Sequence, residues 1–108
     1  MKIVWILVNC NSAKEAVAIG KNLLKLRLLA CFDVFPRLAT YYFWPPKKNK
    51  IEAGKGCLLI METVRKNFKQ IEKLVKKLHS DKLPFIGSLE IGNINPNYAK
   101  WLQSELRR

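Results

Sequence analysis

Acidic residues are scarce in this chain: 8 Asp and Glu stand against 20 Lys and Arg in 108 residues, a formal charge of +12. So few carboxylates leave little material for a paired general acid and base. No G-x-S-x-G, Cys-His signature or phosphate loop makes up the lack, and a binding protein is expected rather than an enzyme. Histidine is scarcer still, with His79 alone. A tight metal site takes three or four converging ligands, and one histidine with scattered cysteines shows no such spacing. The three cysteines, Cys10, Cys31 and Cys57, are odd in number, far apart and without a C-x-x-C pair. That signals neither a disulfide framework nor a zinc knuckle and fits a reducing, cytoplasmic compartment. Long apolar runs are missing too. The apolar start from Ile3 to Val8 is too short to span a bilayer and no small-residue cleavage site follows it, so neither membrane insertion nor a signal peptide is expected.

What is present is a globular composition, 49% hydrophobic and 10% aromatic, over a length that suits one core, so a single domain is expected across residues 1–108. The basic excess favours contact with something anionic, whether nucleic acid, anionic lipid or an acidic metabolite. The plainer account is that Lys solvates the outer faces of helices.

The apolar residues change period along the chain. Ile3 to Val8 is a continuous β-rich run, the pattern of a central strand covered on both faces or packed at an interface. Ser12 and Glu15 form an S-x-x-E capping box, so a helix is expected from about Ala13. It buries Ala16, Val17, Gly20, Leu23, Leu24 and Leu28, with Lys14, Lys21 and Lys25 on the other side. Ala30 to Trp44 is β-branched and aromatic and predicts a long strand bent or bulged at Pro36. After a Pro45-to-Asn49 loop the chain returns through Lys50 to Thr63, making a protruding hairpin, with Gly54 and Gly56 marking a looser stretch. Val64, Phe68, Ile71, Leu74, Val75 and Leu78 share one face of a second helix ending near His79. Phe85 to Ile91 predicts a fourth strand. Asn95, as a cap with Pro96 behind it, starts a short final helix bearing Tyr98, Trp101, Leu102 and Leu106.

The order β-α-β-β-α-β plus a helix is that of an α+β, ferredoxin-like sandwich with an extended central hairpin and a C-terminal helix. Both helices cover one sheet face. The other has none left to cover it, so that face and the hairpin are expected to be buried by other subunits.

Four segments in order, Leu28-Leu29-Ala30-Cys31-Phe32-Asp33, Thr40-Tyr41-Tyr42-Phe43-Trp44, His79 followed by Pro84, and Tyr98-Ala99-Lys100-Trp101, resemble the motifs of the divalent-cation tolerance protein CutA family over nearly the whole chain. The resemblance implies a homotrimer with hairpins pairing between subunits, linked to divalent-metal tolerance, copper binding and a signalling-like role. The chain departs from the family pattern at Asp33 (Asn), Pro46 (Gly), Gly56 (Glu) and Glu62 (Lys), has a longer loop after Trp44, and keeps H-P-Y-E only as His79-Ser80-Asp81-Lys82.

On this reading no cofactor is required, and Cys31 with His79 are the candidate ligands for Cu or Zn. Tyr42, Trp44, Asp33 and Glu62 are candidates for a cleft between subunits that would take a divalent metal or a small anionic ligand. Trp5, Tyr41, Phe43 and Trp101 are candidates for the trimer interface. The alternative function is an RNA-binding module of the same element order, using the basic surface and the hairpin aromatics. Against it, Lys55 to Ile60 puts aliphatic residues where such modules carry stacking rings.

Overall fold

The apolar run at the start of the chain becomes one of two central strands. In the computed structural model, which describes residues 2–107, β1 (Ile3–Cys10) pairs antiparallel with β3 (Ile51–Val64) on one side and β4 (Ile86–Glu90) on the other; β2 (Cys31–Phe43) lies outside β3. The sheet order is β2-β3-β1-β4. Helices α1 (Ala13–Lys25) and α2 (Phe68–Leu78) cross one face, and α3 (Pro96–Glu105) follows β4; a single 3-10 turn, Arg65–Asn67, leads into α2. This is the ferredoxin-like arrangement expected.

Alternation decides the core. Val4, Ile6, Val8 and Cys10 of β1 are wholly buried and pack with Ala16, Ile19 and Leu23 of α1 and Ile71 and Val75 of α2. Each such aliphatic side chain contributes roughly 1.5–3 kcal/mol relative to exposure. Gly20 lets α1 approach the sheet, because a Cβ there would sit 2.6 Å from the Phe32 ring. Ser12 caps α1 as expected, its hydroxyl accepting the Glu15 amide at 3.1 Å. Glu15, however, reaches back one residue farther than a capping box requires, accepting the Asn11 amide at 2.9 Å.

Three expectations are corrected. The irregularity in β2 falls between Arg37 and Thr40, not at Pro36, which pairs in register with Cys57. β2 is an edge strand, the place in a sheet where proline is tolerated. The second sheet face is not wholly bare. At one end α3 lays Leu102 and Leu106 over Ile3 and Val64 in a second, smaller core, because a helix that follows β4 has only that end within reach. Asn95 makes no side-chain cap bond, and α3 begins on Pro96 instead.

Beyond the helices the β2–β3 hairpin continues as a two-stranded arm to Phe43↔Ile51, and the molecule measures 47 × 26 × 22 Å. Tyr41, Phe43 and Ile51 on the arm, and Phe35 and Leu89 on the sheet, lie in the open.

Candidate metal centre

The connectivity sends β1 toward one end of the sheet, where α1 begins, and brings α2 back to the same end. Cys10 closes β1, Glu15 sits in the first turn of α1, and His79 caps the C-terminus of α2. Their donor atoms, one sulfur, one carboxylate oxygen and one ring nitrogen, lie within 4.8 Å of one another, the one grouping of three such ligands among the described residues.

The surroundings fix each member. The Asp81 amide donates to His79 Nδ1 at 3.0 Å, so that nitrogen is bare and Nε2 carries the proton, which it donates to the Asn9 carbonyl at 2.6 Å. The ring is therefore neutral, and its 3.8 Å approach to Glu15 is a dipolar contact rather than an ion pair. Glu15 accepts the Asn11 and Ser80 amides, while Asn11 Nδ2 donates to Ser80 Oγ and Asp81 Oδ1, which closes the rim. Burial pushes the Glu15 carboxyl up, but the hydrogen bonds from Ser80 and Asn11 outweigh it and the net direction is down. Burial first, then Glu15, Cys57 and Asp81, drives the Cys10 thiol up to about 12 against the pull of Arg37.

This donor set fits a borderline or soft ion such as Cu or Zn. Metal–ligand distances of about 2.0–2.3 Å require the three atoms to draw together by roughly an ångström, the thiol to lose its proton and the His79 ring to leave Asn9. Such an ion would supply the positive charge that makes Cys10 a thiolate.

The sequence-derived ligand pair is not brought together. Cys31 opens β2 at the far end, in a row with Glu62 and Trp5, whereas His79 lies beside Asn9 and Cys10. Five residues of strand, about 17 Å, separate those rows, and Cys31 faces the side opposite Cys10. Around Cys31 the structure gathers Trp5, Glu62 and Asp33 with Tyr98, whose hydroxyl donates to Glu62 Oε1 at 2.5 Å. That bond first, then burial, holds the phenol protonated above its usual range; burial, then Glu62 and Asp33, raises the Cys31 thiol. A cleft of about 270 Å³ opens there between Trp5, Glu62, Ile94 and Tyr98.

Tyr42 and Trp44 are not part of it. Tyr42 pairs with Glu52, ten residues along β3 from Glu62, or roughly 33 Å, so one chain cannot converge these cleft candidates. The interface candidates Trp5, Tyr41, Phe43 and Trp101 are all exposed, Tyr41 at 74% and Phe43 at 69%. The RNA reading loses ground here, since Asp33 and Glu62 line the sheet face that would meet phosphates.

Cys10 and Glu15 were missed as candidate ligands because their sequence roles, strand end and helix cap, explained them fully. The signal was topological: the element order alone puts the end of β1 beside the end of α2 and Cys31 at the opposite pole.

Known proteins share both sequence and geometry with this chain. The Thermotoga maritima divalent-cation tolerance protein CutA is 31% identical over 93 residues, covering 86% of this chain and 88% of the relative. A Danio rerio protein CutA homolog is also 31% identical, over 90% of this chain, which spans 63% of that longer protein. The solved Thermus thermophilus divalent cation tolerance protein superposes with a TM-score of 0.89 at 30% identity, covering 99% of this chain and all of that one. A periplasmic divalent cation tolerance protein CutA from Archaeoglobus fulgidus gives 0.90 at 28%, over 97% and 99%. With the CutA1 divalent ion tolerance protein family matched over residues 4–105, the chain belongs to that family.

Proposed function

We propose that this protein is a non-catalytic, homotrimeric divalent-cation binder of the cytoplasm that takes Cu or Zn at Cys10, Glu15 and His79. One observation carries the reading: a thiol, a carboxylate and an imidazole converge within 4.8 Å at one end of the sheet. The family's association with divalent-ion tolerance supports it, and three free cysteines support a reducing compartment. Because the Asn9 carbonyl engages the ring nitrogen, metal binding competes with a hydrogen bond and its affinity rises with pH as the thiol proton is lost.

The homotrimer rests on the apolar surface left open by one chain. Trp5, Phe35 and Leu89 on the sheet and Tyr41, Phe43 and Ile51 on the arm exceed what a solitary chain leaves wet, and sister copies cover them. The excess of lysine on α1 and α2 is then outermost, free to attract a small anionic ligand.

Calorimetric titration of copper and zinc tests the site. Cys10→Ser or His79→Ala is expected to weaken binding by at least about 10–100-fold, the loss typical of removing only a partner that orients a ligand, and Cys31→Ser to leave it unchanged. Equal affinity in the wild type and Cys10→Ser would reject the assignment.

A further inference from the structure

Cys57 has no part in the three-ligand cluster, yet it is the direct cross-strand partner of Cys10 in the β1–β3 ladder. Directly opposed residues of an antiparallel pair lie with Cα atoms about 4.5–5.5 Å apart, inside the roughly 4.4–6.8 Å that a disulfide spans. Both side chains point to the helix-covered face, in the same core cluster, at 0% and 7% exposure. Cys31, at the other pole and on the other face, can reach neither.

We propose that Cys10 and Cys57 are a dithiol/disulfide couple that reduces cupric ion delivered by the Cys10–Glu15–His79 site. The proposal rests on the metal reading above and adds a redox outcome to it. A metal ion held by Glu15 and His79 would meet the couple at Cys10, the third member of their cluster. Two cupric ions each accept one electron. Two S–H bonds break, one S–S bond forms, two protons go to solvent, and two cuprous ions are produced. The disulfide leaves Cys10 without a thiolate, so the site lets go of its ion. The reaction is stoichiometric, one event per reduced chain, and a thiol reductant resets it.

The experiment compares wild type, Cys57→Ser, Cys57→Ala and Cys31→Ser, each checked for an intact fold by circular dichroism. Each is given copper(II) or redox-inert zinc. Three readouts are taken: zinc affinity by calorimetry, cuprous yield with a cuprous-selective dye, and non-reducing peptide mapping. Wild type and Cys31→Ser are expected to give a Cys10–Cys57 linked peptide, two cuprous ions per link and loss of zinc binding until dithiothreitol is added. Both Cys57 variants should bind zinc as wild type does and lose the cuprous yield. Wild type that binds zinc but forms no link with copper overturns the couple and leaves the metal site standing. So does a Cys57 variant that makes cuprous ion as fast as wild type. A link formed without zinc binding supports the couple and overturns the metal reading; neither link nor binding overturns both.

Discussion

Glu15 shows how one side chain serves two ends at once. Its carboxylate accepts amides from Asn11 and Ser80, tying the start of α1 to the loop after α2, and it also faces the thiol and ring that complete the three-residue cluster. Its folded-state pKa lies below the ordinary carboxylate value, so its contribution to stability is complete above that value and disappears as pH falls through the lowered one. Glu15→Gln should therefore cost about 1–3 kcal/mol at neutral pH. The gap from wild type should close on acidification below the usual carboxylate range, measured by urea melts across pH. A constant gap at all pH values would contradict the assignment. Residue roles were the least legible level of the sequence. Ser12 and Glu15 announced a cap, and that reading was right as far as it went. Nothing within five or six residues of Cys10 shows that His79 lies beside it, because the contact is made by the fold.

Elements were far more legible, since period and punctuation are local properties. The change from continuous apolar residues to three-and-four spacing located β1 to within two residues and the start of α1 at Ala13, but it carried α1 on to Leu28, past its end at Lys25, and gave α2 Val64, which is the last residue of β3; Pro96 located the start of α3. Two further features escaped. Proline drew the expected bulge to residue 36, but Pro36 keeps its register with Cys57 on an edge strand, and the extra residue sits at Leu38–Ala39. The place where α3 docks depends on which apolar surface is left within reach of β4, and no short-range pattern carries that. Gly56 marks a close approach between β1 and β3, because a Cβ there would meet the Cys10 carbonyl oxygen at 2.2 Å, and backbone cannot step aside as a side chain would. Gly56→Ala should cost about 1–3 kcal/mol and lower the denaturation midpoint, whereas Gly92→Ala, with open space around it, should not cause that clash. Equal midpoints for Gly56→Ala and wild type would show that the strands are less closely apposed than described.

At the scale of the whole molecule, the arm outreaches anything its own chain can place against it. Tyr41 and Phe43 pair with Ala53 and Ile51 along one side of the ribbon, an apolar row with water on it in a lone chain. If sister copies cover that row, Tyr41→Lys with Phe43→Lys should weaken assembly by about 30-fold or more, seen by light scattering on dilution, with the secondary structure of each chain retained. An unchanged oligomer, or a wild type that is monomeric throughout, would refute the proposed assembly. This level was legible only as an inventory of unshielded surface: the sequence shows what needs covering but not the symmetry that covers it.

The surplus residue between Arg37 and Thr40 has a consequence for that row. Side chains on an extended chain take turns left and right, and one insertion shifts the beat for everything downstream. Excising Ala39 would leave Tyr41 and Phe43 chemically intact yet turn them to look the other way, with Tyr42 taking their outlook. Spacing at that point is therefore as much an instruction for meeting another copy as the identity of any ring beyond it.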